Sequence, residues 1–342
     1  MTLQYRFSSS STPVNPRLAI ATTLRNADDV LDSFIHYHQA IGFDHLFLFF
    51  DDPEELARSN VQGYDRVTAI AHDTDLRQRW STSTLPALWY AQAEVMARQT
   101  LNLEVAIDLA RQHHIDWLLH IDHDELFYVP GGAAKAHFAS LTARNIQGMT
   151  YLNHEAVPEQ VDILDFFKVA TLFKKAGPAP GEKLAFNPQQ LALINTTPQL
   201  PSRFFHFYVN GKSAAFVRGG LQPGGVHTFR LPEGELVAGG YEDPVILHYP
   251  CCGFDHFWNK FITLERVYAR GLETWWGQDI TDIVGKFYLE ARDIVRRRDQ
   301  QAARDCYRNR YVISDQTHIA TLIENGLCFR ISEPSELLMA FP

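Results

Sequence analysis

Three apolar runs in the first third of the chain each stop abruptly at polar or charged residues. "LAIATTL" stops at Arg25 and Asn26, "LFLFF" at Asp51 and Asp52, and "WLLHI" at Asp122, with Asp124 and Glu125 just beyond. Helical spacing fills the intervals. "NADDVLDSFIHYHQAIG" predicts a helix from near Asp28 to Gly42, and Leu88, Ala91, Val95, Leu101, Val105 and Leu109 predict a long one from about Pro86 to His114. "DRVTAIAH" supplies a further short strand. Apolar strands alternating with helices are the pattern of a mostly parallel sheet covered on both faces. Ligands gather at the carboxyl ends of such strands, and the acidic residues stand there.

The segment "HIDHDE" sets the chemical question, because three carboxylates beside a core strand repel one another and something must offset them. Side chains alternate along a strand, so Asp122 and Asp124 are expected on one side and His123 on the other. Two such carboxylates suit one hard cation. Mg²⁺ and Mn²⁺ take oxygen ligands and keep open positions for phosphate oxygens. The whole chain is acidic, with 31 Lys and Arg against 40 Asp and Glu and a net charge of −9. That balance argues against general nucleic-acid binding and means that an anionic substrate needs local help. The one basic concentration, "VRRRDQQAARDCYRNR", reads as a solvated helix face, with a phosphate, a membrane surface or a partner as the alternatives.

At 342 residues the chain suits one large domain with an appendage. The expected division is a flexible arm over 1–16, a catalytic domain over 17–240 and a mainly helical region over 241–342 packed on it. Hydrophobic residues make up 46% of the chain, yet no apolar run reaches the roughly 18–20 residues of a membrane span. Contact with a membrane is therefore expected to be peripheral at most. The polar, Ser-rich start has no apolar core of the secretory kind. Cys251, Cys252, Cys306 and Cys328 form no CxxC pair, so reduced thiols and a cytoplasmic location are expected. "KKAGPAPGEK" and "RGGLQPGGVHTF" read as loops.

"WLLHIDHDELF", with the helix "RQTLNLEVAIDLARQHHID" before it, resembles the Asp-x-Asp region of GT-A fold glycosyltransferases, in particular glycosyltransferase family 92 and its family 2-like relatives. The opening "LAIATTLRNADDVLDSFIHYHQAIGFDHLFLFFDDP" is similar to that family's first blocks, and "NGKSAAFVRGGLQPGGVHTF" and "VILHYPCCGFDHFWNKF" to later ones. The likeness spans about residues 17 to 262. Two departures stand out. Arg25, Asn26, Ala27 and Asp28 occupy the place where the family commonly has Asn-Glu, and Leu126 intervenes before Phe127.

The resemblance implies a GT-A type α/β fold and a metal-dependent transfer, with inversion, from a nucleotide-diphosphate sugar, UDP-sugar favoured, to a hydroxyl of a glycan or other acceptor. It further implies that Asp122 and Asp124 contact Mn²⁺ or Mg²⁺ and the diphosphate, with His227 as the late metal ligand and His248 as its rival. Thr23, Arg25, Asp51 and Asp52 then lie at the nucleotide end, although Asp52 before Pro53 also suits helix capping. Lys212 and Lys260 could balance diphosphate charge, Lys260 having a solvated role as the competing reading. Inversion needs a proton acceptor, for which Glu155 is the first candidate and Asp243 and Asp255 the alternates. Trp275 and Trp276 offer flat faces for an acceptor sugar or serve as packing. Two other classes remain open. One is a metal-dependent hydrolase built on His120, Asp122, His123 and Asp124, with His113 and His114 nearby. The other is a carbohydrate-binding protein without catalysis.

Overall fold

The computed structural model describes residues 15–92, 94–183, 185–197, 210–268 and 291–341. Most of the expected N-terminal arm, together with Trp275 and Trp276, lies outside them. The strand β1 (Leu18–Leu24) is buried along its whole length and pairs in parallel with β2 (His45–Phe50) and with β4 (Trp117–His120). β2 pairs in parallel with β3 (Val67–Ala71). On the other side of β4 come β9 (Lys212–Phe216), β6 (Gly148–Tyr151) and β12 (Val237–Ala238), giving the order β12-β6-β9-β4-β1-β2-β3. Only β9 runs against its neighbours in this sheet. The protein is thus α/β with a mostly parallel sheet flanked by helices.

Both faces of the sheet are covered, and the period of two along β1 shows how. Leu18 and Ile20 join one core with Phe34 and Ile35 of α1 (Leu31–Ala40), whereas Ala19 and Ala21 join the other beneath α4 (Val95–Gln112). The small Ala19 and Ala21 let α4 lie close, with Leu101 and Ala106 of the helix and Phe47 and Phe49 of β2 in the same core.

Two expected helices begin later, or are shorter, than periodicity suggests. α1 starts at Leu31 because Asn26 adopts a left-handed φ of 55° and the N–H groups of Asn26 and Ala27 donate to the buried Glu55. The long helix expected from Pro86 divides into a 3₁₀ turn, Pro86–Tyr90, and α4, with Glu94 extended between them. There the Ala91 carbonyl accepts from Arg98 at 3.0 Å. Two short helices escape the periodicity altogether, α2 (Pro53–Arg58) and α3 (Thr74–Trp80). Their signal is local: Asp52 accepts from the Glu54 N–H with Pro53 in the first turn, and Asp73 accepts from the Leu76 N–H.

A second sheet has the order β14-β8-β7-β13-β5. Its strands are β5 (Glu125–Tyr128), β7 (Asn153–Ala156), β8 (Leu172–Lys175), β13 (Val245–His248) and β14 (Phe329–Arg330). β13 and β14 lie beyond residue 240, so the C-terminal region contributes strands to this sheet as well as helices. The short turn from Ile121 to Asp124 carries the chain from β4 in the first sheet to β5 in the second. No helix among the described residues is long and apolar enough to cross a membrane. The four cysteines form no disulfide.

Candidate functional site

A cleft of about 180 Å³ opens at the carboxyl ends of β1 and β4. β1 contributes Thr23 and the residues after it, Arg25 and Asn26. α4 contributes Val95 and Gln99, and the crossover turn contributes Asp122, His123 and Asp124. The opposite wall is one face of a helix, α8 (Phe254–Tyr268), through His256, Asn259, Lys260 and Thr263. Their spacing of three and four brings them onto one side of the helix. Asn26 Nδ2 donates to Thr263 Oγ1 at 3.3 Å, joining the two walls.

Because β4 ends at His120, Asp122, His123 and Asp124 occupy a turn and not a strand. The expected alternation therefore fails, and His123 lines the cleft with both aspartates. The sheet register then explains what offsets the repulsion. In β9, Ser213 lies opposite His120, so Lys212 arrives beside the turn from the first sheet. Its Nζ donates to Asp122 Oδ2 at 2.6 Å and lies 3.7 Å from Glu125 Oε2. In β13, His248 lies opposite Glu125, so it arrives from the second sheet with Nε2 3.7 Å from Asp124 Oδ2. Lys260 reaches the same Asp124 oxygen at 3.0 Å. Three protein cations from distant segments thus meet the acidic turn.

The protonation states follow from these contacts. Burial would raise the Asp122 pKa, but the Lys212 ammonium brings it down to about 2. Burial acts likewise on Asp124, where Lys260 and then His248 and His256 hold the carboxyl well below the usual range. Glu125 goes the other way. Burial dominates and pushes it up to about 7, although Lys212 opposes the shift. Burial disfavours a charged His248, yet Glu155 and Asp124 on either side raise its pKa to about 10. Lys212 stays charged because Asp122 and Glu125 outweigh its burial.

Lys212 is 1% exposed and bonded to the aspartate it was expected to accompany, so it serves Asp122 and does not face a diphosphate directly. Lys260 is partly exposed and paired, not freely solvated. Asp51 is buried and occupied. Arg98 binds it through Nε and Nη2, and Arg25 Nη1 donates to Oδ2 at 2.8 Å, so Asp51 holds arginines in place of a base or ribose. Burial alone would raise its pKa, and the two guanidiniums bring it below the usual carboxylate value. Asp52 caps α2. Thr23 lines the cleft and accepts from Asn102.

None of the three expected bases lines this cleft. Glu155 sits in β7, 1% exposed, where Asn153 donates to it and His248 Nδ1 lies 3.1 Å away. It is a buried partner of His248 and does not line the cleft. Asp243 accepts from the Gly240 N–H in a turn, and Asp255 lies in the first turn of α8. The residues that sequence spacing did not single out are Gln99, which donates to Asp122 Oδ1 at 2.7 Å, and His256, Asn259 and Thr263. The spacing of the α8 residues was their one signal.

The donor types expected for Mn²⁺ or Mg²⁺ are present, but their arrangement does not fit an ion held by Asp122, Asp124 and His227. Lys212 and Gln99 occupy the Asp122 oxygens, Lys260 takes one oxygen of Asp124, and no group of three His, Cys, Asp or Glu among the described residues is placed to hold a metal. The hydrolase arrangement fails on position. His120 is buried away from the cleft lining and burial pushes its pKa down to about 3, while His113 packs its ring 4.5 Å from His45.

Two curated proteins of Arabidopsis thaliana, each named glycosyltransferase-like, are similar to this chain. One is 25% identical over 345 residues, covering 95% of this chain and 72% of the relative. The other is 26% identical over 254 residues, covering 69% of this chain but 47% of the relative, so the chain matches less than half of that protein. No family model matches. A solved CMP:2-keto-3-deoxy-manno-octonic acid synthetase complexed with CTP overlaps 40% of this chain and 53% of its own at 12% identity. Its TM-score is 0.24, a likeness too small to carry an argument.

Proposed function

We propose that this protein is a GT-A type glycosyltransferase that takes a nucleotide-diphosphate sugar, UDP-sugar in the first instance, and transfers the sugar with inversion to a hydroxyl of a glycan or other acceptor. The similarity to the two glycosyltransferase-like plant proteins supports glycosyl transfer as the chemistry. The observation that carries the reading is the cleft at the carboxyl ends of β1 and β4, where Arg25 and Lys260 line the same cavity as the Asp122–Asp124 turn. That is where open α/β sheets bind ligands, and its basic groups suit a diphosphate.

In a single displacement the acceptor oxygen bonds to the anomeric carbon as the bond to the departing diphosphate breaks, and the acceptor proton passes to a base. The cationic side chains beside the leaving group stabilise the charge that develops there. Among the described residues, the proton acceptors lining the cleft are Asp122, Asp124, His123 and His256. Burial lowers the pKa of His256, with Asp124 opposing, so its imidazole favours the neutral form that can accept a proton.

Participation of Mn²⁺ or Mg²⁺ is a second reading, which would need the acidic turn to rearrange; His227 is the expected ligand whose ring chemistry suits it. Its Nδ1 lies 2.9 Å from the Gly211 carbonyl, which assigns the proton to Nδ1 and leaves the lone pair on Nε2. Burial pushes its pKa down to about 4, so the ring is neutral, the form that binds metals. An ion would enter only by displacing lysine from an aspartate.

The test is thermal stabilisation by a panel of nucleotide-sugars, with and without Mn²⁺. Saturation at 100 times Kd adds about 2.7 kcal/mol, a shift of several degrees. If no nucleotide-sugar shifts the midpoint, the transferase reading fails. Chelation then decides the second reading. Loss of UDP binding with uridine unaffected supports the ion, and unchanged UDP binding leaves the phosphates to the protein's own cations.

A further inference from the structure

Arg25 is held in an unusual way for a residue at a cleft. Two guanidiniums share the single carboxylate of Asp51, Arg98 binding it in bidentate fashion from α4 and Arg25 through one nitrogen at 2.8 Å from the end of β1. The group carries a net charge of +1. Arg98 and Asp51 are the buried members, with side chains 10% and 2% exposed, whereas the Arg25 side chain is 30% exposed and lines the cleft. The excess charge is therefore presented at the exposed member. Around the acidic turn the balance differs, because Lys212, Lys260 and His248 face the four carboxyls of Asp122, Asp124, Glu125 and Glu155, which leaves no positive charge over. In a chain of net charge −9, the Arg98–Asp51–Arg25 group thus carries one positive charge in excess to the cleft.

Geometry adds to charge. A guanidinium has five N–H donors in a planar fork, and among the described residues Asp51 is the one side chain to which Arg25 donates, using Nη1. The remaining donors are available to a ligand. Their base is fixed, since Arg25 is braced by Asp51, Asp51 by Arg98, and Arg98 additionally by the Ala91 carbonyl at 3.0 Å. A braced fork with spare donors matches phosphate oxygens in geometry and loses little entropy on binding them. Asp51, with its oxygens already committed, is a poor acceptor for a base or ribose.

We propose that Arg25 is a phosphate-binding residue of this cleft and that Asp51 and Arg98 are positioning residues that present it. The assignment deepens the transferase reading by naming the part of the donor that Arg25 grips, and it rests on that reading only for the nucleotide attached to the phosphate. The binding partner is a phosphoryl group, whether in a nucleoside diphosphate or in free pyrophosphate.

The experiment is calorimetric titration of the parent protein, Arg25→Gln and Arg25→Lys with UDP, uridine and inorganic pyrophosphate. Arg25→Gln should weaken UDP and pyrophosphate by about tenfold to a hundredfold, the worth of hydrogen bonds to a charged group, and leave uridine within about twofold. Arg25→Lys should recover part of the loss, because it keeps the charge without the fork. A parent that binds pyrophosphate but not UDP, with Arg25→Gln weakening pyrophosphate, would support the phosphate site while removing the UDP-sugar reading. Equal UDP and pyrophosphate affinities in parent and Arg25→Gln would overturn the proposal while the transferase reading stands. A parent that binds neither UDP nor pyrophosphate would overturn both the phosphate site and the UDP-sugar reading. Lowered affinity for uridine to the same degree as for UDP would also overturn it, since that is the mark of a distorted cleft.

Discussion

Replacing Lys212 by Met keeps the length of the side chain and removes the cation that, among the described residues, enters the acidic turn from the first sheet. Its ammonium is 1% exposed and lies 2.6 Å from Asp122 and 3.7 Å from Glu125. Removing one partner of a buried pair costs about 3–5 kcal/mol. Asp122 is 28% exposed at its side chain and can be partly resolvated, and Glu125 can take up a proton, so the lower end, about 3 kcal/mol, is expected. The pH dependence has a definite sign. In the parent, the folded-state pKa of Glu125 is raised from 4.5 to about 7, so the folded protein keeps a proton that the unfolded chain loses. Stability therefore declines as pH rises across that window. Without Lys212 the Glu125 pKa rises further, and the deficit of Lys212→Met should be larger at pH 8 than at pH 5. The Asp122 contribution, present above pH 3.8 and lost as pH falls toward about 2, should disappear from the variant. Denaturant unfolding at both pH values reads these differences. Adding Asp122→Asn to Lys212→Met should restore part of the loss, because the orphaned charge is gone. A Lys212→Met protein within about 1 kcal/mol of the parent at both pH values would refute the argument.

Asp124→Asn should destabilise the protein by about 2–3 kcal/mol, since it leaves His248 and Lys260 without their shared carboxylate; an unchanged denaturation midpoint would contradict that role. Glu155→Gln should act on stability and not on proton transfer. His248, raised to about 10, contributes stability fully present below pH 6.5 and lost as pH rises through about 10, so the variant should lose stability at neutral pH and show a weaker alkaline decline. Normal stability with turnover reduced by about 10² to 10⁴ would return Glu155 to the role of base. Gly211→Ala should disrupt the segment before Lys212: Gly211 has a φ of 60° and an added Cβ would lie 1.9 Å from the Tyr151 carbonyl oxygen, so a loss above about 1–3 kcal/mol is expected in thermal unfolding, and a neutral outcome would contradict the backbone geometry.

The sequence by itself determined the local parts. The continuous apolar runs of β1, β2 and β4 mark strands buried on both faces, and α1 and α4 carry helical periodicity, because both depend on neighbours a few residues apart. The rule that ligands meet parallel strands at their carboxyl ends located the cleft through Arg25, Asp122 and Asp124. It also raised the correct question, what offsets three crowded carboxylates. Only the tertiary structure decided the answer. Lys212 reaches Asp122 because β9 runs antiparallel beside β4, His248 reaches Asp124 because β13 pairs with β5 in a different sheet, and Lys260 comes from a helix 136 residues away along the chain. The commitment of Asp51 to Arg98, 47 residues on, and the burial of Glu155 beside His248 have the same origin. Charge is a property of each residue, but its compensation depends on distance in space, and strand register between segments far apart in sequence sets that distance.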